Sequence, residues 1–294
     1  MDRREFLKKS LLLSAGALVG GQLLSNTAPR DGDKAGKGPR KKKVIGLQLY
    51  SIGGDMGQDA AGSLKKISDM GYSTAETANY GDGKFYGRTP AEFRKMAEDV
   101  GIKVTGAHLG RGYEKGNEQA CLDWWKQACD AQAAVGGKYI VMPGFSVDNL
   151  PALQEYCEYF NKIGEIANKA GLKFGYHNHS HEFAKIDGRV IEDYLIENTD
   201  PDKVMFELDV FWASKGGVNP SAYIAKHAGR FPLLHIKDDD VIGASETIDF
   251  ESIFDAAYKQ GLEAYYVEIE ANSLPPMVCA EKSAYYLNSS KFVK

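Results

Sequence analysis

Short apolar runs alternate with longer amphipathic stretches along the chain from residue 44 onward. The runs are five to seven residues long and rich in Val, Ile, Leu and aromatic residues, as in strands that are buried on both faces. Between them, apolar residues recur every three to four positions, which is the spacing of an amphipathic helix. The predicted strands cover residues 44–50, 72–78, 102–108, 138–142, 172–178, 204–210, 231–237 and 264–269.

A predicted helix follows each of these strands, and glycine ends several of the helices. Gly71, Gly101, Gly171 and Gly261 each stand between a helical pattern and the next strand. Glycine readily adopts the left-handed conformation that ends a helix, so these positions mark helix-to-strand turns. Regular alternation of strand and helix predicts a parallel sheet in an α/β fold.

Eight strand–helix units favour a single (β/α)8 TIM barrel over residues 44–294, since such barrels take about 250 residues. A doubly wound open sheet is the alternative. It would usually carry a glycine-rich phosphate-binding turn after the first strand. Residues 51–57 contain three glycines but match neither the dinucleotide-binding motif nor the P-loop.

The first 43 residues lack this alternation. Residues 1–30 begin with charged residues, among them adjacent Arg3 and Arg4, and continue into a weakly apolar stretch rich in Gly and Ala, as in a twin-arginine export signal. Residues 31–43 carry six Lys or Arg residues among Gly and Pro, which predicts a basic flexible linker. We therefore expect an exported, periplasmic protein that contacts the membrane only during export or through an uncleaved signal.

Composition and charge narrow the functional classes. Hydrophobic residues make up 43% of the chain and charged residues 26%, as in ordinary globular proteins. The formal net charge is −4, which disfavours a nucleic-acid partner because such proteins usually carry a basic excess. Cys121 and Cys129 lie eight residues apart in one predicted helix, about 12 Å, too far for a disulfide. We expect all four cysteines to be buried apolar residues.

Polar side chains gather at the carboxyl ends of the predicted strands, where the active site of a barrel lies. They are Gln48, Tyr50, Glu76, His108, His177, His179, Glu207, Asp209, His235, Lys237, Glu268 and Glu270. A set of His and carboxylate side chains from several strands suits a divalent cation such as Mn²⁺, Zn²⁺, Co²⁺ or Fe²⁺. The simplest ligand set takes one residue from each of the last four strands. It consists of His177, Asp209, His235 and Glu268.

Four short motifs at successive strand ends carry a family resemblance. They are Tyr176-His177-Asn178-His179 with Glu182 beyond it, Glu207-Leu208-Asp209-Val210, His235-Ile236-Lys237-Asp238 and Val267-Glu268-Ile269-Glu270. With them, residues 44–290 resemble the sugar isomerase/epimerase group of the xylose isomerase-like TIM barrels. That family includes ketose 3-epimerases, inosose dehydratases and apurinic endonucleases.

The resemblance implies metal ligands at Asp209, His235 and Glu268. The strand-five position is often Glu in the epimerases and is His177 here, so this chain departs from them at the fourth ligand. Several relatives carry a His where this chain has Trp212, which suggests a stacking platform for a sugar ring. The endonuclease members need additional His and Glu ligands, several of which this chain lacks.

These residues predict proton transfer beside a carbonyl group through an enediolate. We expect Glu268 and Glu182 to transfer the proton, and Lys237 to bind the oxyanion or act as a base. The expected substrate contacts are Glu76, His108, His179, Trp212, Glu207 and Glu270. The cation is expected to be Mn²⁺, with Zn²⁺, Co²⁺, Fe²⁺ or Mg²⁺ as alternatives.

The sequence thus predicts a divalent-metal-dependent sugar isomerase or epimerase that acts on a small-molecule sugar. An unphosphorylated sugar or keto-sugar is favoured, because sugar phosphates are mainly cytosolic and the chain is expected to be exported. A keto-glycoside lyase or dehydratase with the same metal site is the first alternative. A non-catalytic sugar-binding barrel is the second.

Overall fold

The computed structural model describes residues 43–270 and 273–294. The expected export signal and residues 31–42 of the expected linker lie outside this part of the chain. Lys43, the last residue of that linker, is held by the C-terminal helix, where its Nζ donates to the carbonyl oxygens of Leu287 (2.9 Å) and Asn288 (3.0 Å). Within the described ranges, none of the helices has both the length and the apolar character needed to cross a membrane.

Eight parallel strands form the sheet, in the order β3-β2-β1-β8-β7-β6-β5-β4. They are β1 Gly46–Gln48, β2 Thr74–Thr77, β3 Lys103–Ala107, β4 Tyr139–Met142, β5 Lys173–His177, β6 Val204–Asp209, β7 Leu233–Ile236 and β8 Ala264–Val267. The join between β3 and β4 is the weakest, with one parallel bridge between His108 and Val141. Two backbone hydrogen bonds support it, from Leu109 N–H to Val141 O (2.9 Å) and from Lys138 N–H to Thr105 O (2.8 Å). The predicted TIM barrel is confirmed.

Helices cover the outside of this barrel. They are α1 Gly53–Gln58, α2 Ala60–Met70, α3 Pro90–Asp99, α4 Glu118–Val135, α5 Leu150–Lys169, α6 Ile191–Asn198, α7 Val210–Lys215, α8 Pro220–Lys226, α9 Phe250–Lys259 and α10 Pro276–Ser289. Helix α4 has the predicted bounds, and Gly136 ends it with a φ of 95°. The short α1 and α7 were not predicted. Three glycines in α1 give it a poor helix propensity.

The interior of the barrel has two chemically different layers. Tyr139, Val141, Met205 and Leu233 form a small buried cluster, here called the apolar layer. Because side chains two residues apart share a face of a strand, Glu207 follows Met205 inward along β6 and His235 follows Leu233 along β7. The next step along β6 is Asp209, which pairs in register with His235. The polar groups therefore lie at the carboxyl ends of the strands, above the apolar layer.

The predicted strands at these ends were too long. Strands β1, β7 and β8 end at Gln48, Ile236 and Val267, one or two residues before the predicted ends. The chain leaves the sheet there to place Lys237, Glu268 and neighbouring residues at the mouth of the barrel. The four cysteines are buried and their thiols are free.

Candidate metal centre and active site

The four predicted ligand residues converge at the carboxyl ends of β5 to β8. His177, Asp209, His235 and Glu268, here called the ligand group, each offer a nitrogen or oxygen within 4.8 Å of the others. His177 Nε2 lies 3.5 Å from Asp209 Oδ2, and His235 Nδ1 lies 3.4 Å from Glu268 Oε2. All four side chains are buried; Glu268, at 5%, is the most exposed.

Several atoms of the ligand group are buried without a hydrogen bond to any described residue. They are both ring nitrogens of His177, Asp209 Oδ2 and His235 Nδ1. Such an atom costs about 1–3 kcal/mol when nothing satisfies it, so a cluster of them calls for a ligand. Imidazole nitrogens and carboxylate oxygens in one small space fit a divalent cation. The residues present therefore fit the predicted metal.

Asp209 is oriented by its backbone surroundings. It caps α7, with Oδ1 accepting from Trp212 N–H at 2.8 Å, so that Oδ2 is left for the ligand group. The Asp209 N–H donates to Asn178 Oδ1 (3.0 Å), and Asn178 Nδ2 donates to the carbonyl oxygen of Asp209 (3.4 Å). Asn178 was not predicted as a site residue, because strand alternation places it on the opposite face from His177.

Glu76, His108 and Glu207, here called the support group, were predicted to contact substrate. In the structure they are buried beneath the ligand group and hydrogen-bonded among themselves and to His235, while Glu76 Oε1 and Glu207 Oε1 have no partner among the described residues, so the substrate contact stays a prediction. His235 Nε2 lies 2.8 Å from Glu76 Oε2 and 3.2 Å from Glu207 Oε2. His108 Nε2 lies 2.7 Å from Glu207 Oε2, while His108 Nδ1 contacts Gln48 Nε2 at 3.2 Å. Because carboxylates accept hydrogen bonds, they hold the His235 proton on Nε2 and leave Nδ1 for a cation.

Burial and neighbouring charges shift the pKa values of these groups. Burial lowers the pKa of His108 to about 4 and holds that of His177 well below its usual value. Burial also raises the pKa of Glu207 to about 7. For His235, burial opposes the charge, but the carboxylates of Glu207 and Glu268 outweigh it and raise the pKa. The raised pKa favours a second proton on the His235 ring, at Nδ1. A cation bound to Nδ1 would take the place of that proton.

Lys237 connects the ligand group to the mouth of the barrel. Its Nζ lies 3.2 Å from Glu268 Oε2 and also donates to Glu270. Burial alone would lower the pKa of Lys237, but the carboxylates of Glu268 and Asp209 outweigh it, so the pKa is raised. Its ammonium lies 4.7 Å from the ring centroid of Trp212. Lys237 therefore keeps its charge and covers part of the ring predicted as a sugar platform.

Two further predicted residues, His179 and Trp212, lie at the mouth. Both are half-buried, and their ring centroids are 5.9 Å apart. The His179 ring also meets that of His177 edge-on at 5.1 Å, so it borders the ligand group directly. Trp212 Nε1 has no hydrogen bond to a described residue. His179 and Trp212 therefore border the ligand group, and their contact with a substrate stays a prediction.

Glu182, the expected partner of Glu268 in proton transfer, is buried and hydrogen-bonded to Tyr176 and to the loop after β5. Its Oε1 accepts from the Tyr176 hydroxyl and its Oε2 accepts from His179 N–H at 2.8 Å. Tyr176 stacks on Phe160 of α5 at 5.3 Å, between the sheet and the helices. Glu182 was chosen for its closeness in sequence to β5. The contacts show that it anchors the loop after that strand.

Comparisons with known proteins agree with this architecture. The family model of the xylose isomerase-like TIM barrel matches residues 64–290. A crystal structure from Parabacteroides distasonis, named a sugar phosphate isomerase/epimerase, is 38% identical and superposes with a TM-score of 0.84. That similarity covers 88% of this chain and 98% of the other.

A curated relative adds a different activity. Inosose dehydratase from Salmonella agona is 28% identical over 177 residues, which are 53% of this chain and 56% of the relative. The chain thus spans about half the length of the curated relatives that it matches. An L-ribulose 3-epimerase structure shares the fold at 16% identity, with a TM-score of 0.67, over 83% of this chain and 93% of the other.

Proposed function

This chain belongs to the xylose isomerase-like TIM barrel family, and we propose that it is a divalent-metal-dependent sugar isomerase or epimerase. The observation that carries the proposal is the ligand group, which brings together residues from the carboxyl ends of four strands. Three of them, His177, Asp209 and His235, have buried nitrogen or oxygen atoms without a partner among the described residues. A purely structural barrel would fill these positions with apolar side chains, as the apolar layer does one step below.

His177, Asp209, His235 and Glu268 would hold the cation, for which we propose Mn²⁺. When bound, it would polarise neighbouring hydroxyl and carbonyl oxygens of the sugar and so make the adjacent carbon-bound proton more acidic. Glu268 is the proposed base. Lys237 and His235 hold one of its oxygens in place, and they lower its pKa although burial raises it, so it is ionised and able to accept a proton.

Lys237 is the proposed acid and oxyanion partner, in place of Glu182. Its raised pKa means that Nζ carries a proton to donate as negative charge develops on a substrate oxygen. Removal of a proton next to the carbonyl gives an enediolate. Return of the proton to the neighbouring carbon gives an isomer, and return to the opposite face gives an epimer.

An unphosphorylated sugar or keto-sugar is the proposed substrate class. Lys237 can contact one substrate oxygen, but the carboxylates of Glu268 and Glu270 balance its single charge, which disfavours a phosphate dianion at the same place. Residues 1–30 support a periplasmic location, where free sugars occur. His179 and Trp212 are proposed to contact sugar hydroxyls or ring faces.

The test is deuterium exchange from heavy water into a panel of free sugars and 3-keto-sugars. We expect exchange at one carbon with Mn²⁺ present and none after chelation. Glu268→Gln should abolish exchange. Lys95→Gln, which changes an exposed residue of α3, is the matched control and should leave it intact. Full exchange by the chelated protein, or by Glu268→Gln, would falsify the proposal.

A dehydratase or keto-glycoside lyase is the second candidate, and the similarity to inosose dehydratase is the observation that favours it. The same Glu268 could remove the proton, and Lys237 could protonate a departing hydroxyl or glycosyl oxygen. Mass spectrometry of the exchange mixtures separates the two, because elimination releases water or an alcohol while isomerisation conserves mass. Tight sugar binding with neither exchange nor elimination would identify a sugar-binding barrel.

A further inference from the structure

A pocket lies near the ligand group, at the same end of the barrel. It has a volume of about 590 Å³, within the range of small-molecule sites. Its lining comes from the segment after β1 and the segment after β8, namely Tyr50, Ser51, Gly53, Gly54, Asp55, Gln58, Ile269, Glu270 and Pro276. The sequence analysis placed Tyr50 among the strand-end polar residues, and neither the proposed metal site nor the proposed reaction uses it.

The pocket is joined to the ligand group through one side chain. Glu270 lines the pocket, and its carboxylate accepts from the Lys237 ammonium. The same ammonium donates to Glu268 Oε2 at 3.2 Å. Glu268 and Glu270 thus share one ammonium group, which places the pocket next to the ligand group.

Tyr50 is an exposed aromatic residue on a fixed backbone. Its side chain is 60% exposed, although burial of such a ring would contribute about 1.5–3 kcal/mol. Its N–H donates to the Oε1 of buried Gln48, and the hydroxyl of the next residue, Ser51, accepts from Ile269 N–H at 2.9 Å. The backbone that carries the ring is thus held at the rim by these hydrogen bonds. Tyrosine offers an apolar face to the C–H groups of a sugar and a hydroxyl to its oxygens.

The rest of the lining suits an uncharged polyol. At Gly53 and Gly54 an added Cβ would meet nothing within 4 Å, so the wall is open there for a ring. Asp55, Gln58 and Glu270 supply acceptors and one amide donor for hydroxyl groups. The described lining contains carboxylates and no Lys, Arg or His, which disfavours a phosphate or carboxylate ligand.

We propose that this pocket is a subsite for a second, neutral sugar unit, so that the substrate is a disaccharide or another glycoside. The proposal rests on the proposed function, because it takes the ligand group as the place where the reacting ring binds. It narrows the substrate class from sugars in general to sugars linked to a second uncharged ring.

The test measures binding, which is independent of turnover. Calorimetry and saturation-transfer NMR on the full chain with Mn²⁺ would use maltose, cellobiose, lactose and trehalose, with glucose, galactose and glucose 6-phosphate for comparison. At least one disaccharide should bind at least tenfold more tightly than the monosaccharides, and glucose 6-phosphate should bind no better than glucose. Equal dissociation constants across the panel would overturn the subsite.

Two variants address the pocket and one controls for exposure. Tyr50→Ala and Gly54→Leu should each raise the disaccharide dissociation constant at least tenfold. Val44→Ala, at a residue that is also 60% exposed but precedes β1 at its other end, should change it less than twofold. Unfolding midpoints would verify that all three fold. Unchanged binding by Tyr50→Ala and Gly54→Leu contradicts the subsite.

The two proposals fail in different ways. Disaccharide binding that depends on Tyr50, in a protein that exchanges no deuterium with any sugar, keeps the subsite and removes the isomerase. Exchange with monosaccharides, without any preference for a second ring, keeps the isomerase and removes the subsite.

Discussion

The two layers of the barrel interior are built on the same strands from opposite kinds of side chain. In the apolar layer, Met205 and Leu233 are buried and need no hydrogen-bond partner. One step further along β6 and β7, Glu207 and His235 are equally buried, and their hydrogen-bond partners are His108 and Glu76, respectively. Another step reaches Asp209, where an oxygen is left without a partner. Strand β6 thus packs apolar side chains at its amino end and leaves an oxygen of Asp209 without a partner at its carboxyl end. The first part contributes to stability and the second is placed for binding.

The strongest test of this difference between the layers is Asp209→Asn. The amide keeps the cap on α7 but removes a charged ligand, so sugar deuterium exchange should fall by about 10³-fold or more, as when a transition-state charge loses its support. Mn²⁺ should dissociate from the variant far more readily. The free energy of unfolding of the metal-free protein should change by less than about 1 kcal/mol, since Oδ2 has no partner there. Calorimetry measures Mn²⁺ binding, and urea unfolding measures the free energy of unfolding. A large loss of stability with intact Mn²⁺ binding would contradict the separate roles of the two layers.

The converse change is Leu233→Ala in the apolar layer. Removal of a fully buried leucine side chain should lower the free energy of unfolding by about 2–5 kcal/mol. The folded fraction should still bind Mn²⁺ with an unchanged dissociation constant. Urea unfolding and titration of the folded protein at low temperature give both quantities. A hundredfold weaker Mn²⁺ site in this variant would show that the layers are not separable.

The support group lies between these extremes, and Glu76→Ala tests it. Loss of the carboxylate that accepts from His235 Nε2 frees the ring to rotate or change tautomer. The Mn²⁺ dissociation constant should rise about 10–100-fold, which is usual for a residue that orients a ligand. Glu76→Gln keeps an acceptor oxygen and should show a smaller rise. Equal affinities for the alanine variant and the unaltered protein would assign Glu76 to substrate contact instead.

The smallest effect on Mn²⁺ binding and deuterium exchange is expected at Glu192, a buried carboxyl group outside the site. Neither of its oxygens has a partner among the described residues, and burial raises its pKa well above the usual value. The folded state thus retains a proton that the unfolded state releases, so this group makes stability fall as pH rises above about 4.5. Glu192→Gln should remove this loss, by at most about 1.4 kcal/mol per pH unit. The gain over the unaltered protein should grow with pH and be the same with and without Mn²⁺; a gain that is independent of pH would contradict a protonated Glu192.

The fold was predictable because its signals are local. Strand and helix patterns repeat eight times, and glycine marks the ends of helices such as α2 and α4. The convergence of the ligand group was also predictable, since parallel strands in a ring bring their carboxyl ends together. The contacts of Glu182 were not predictable, because its closeness in sequence to β5 does not reveal that its oxygens accept from Tyr176 and His179.

Roles that depend on contacts between strands were beyond the sequence. Read at the ends of their own strands, Glu76 and Glu207 are expected to contact substrate, but their partners in the protein cannot be named. Only the closed ring shows that both face the His235 ring. Asn178 was overlooked for the same reason, because its partner is the backbone of Asp209 on the neighbouring strand.

The contact between β3 and β4 is the weakest of the strand contacts in this ring. Seven of the eight strand contacts are ladders, and the remaining one is the bridge at His108. Local opening favours the contact with the fewest hydrogen bonds, so we expect the barrel to open first between β3 and β4. His108 reaches across from that place to Glu207, on the strand that carries Asp209. The proposed cation, held by residues of β5 to β8, would therefore be connected through Glu207 and His108 to the weakest strand contact of the ring.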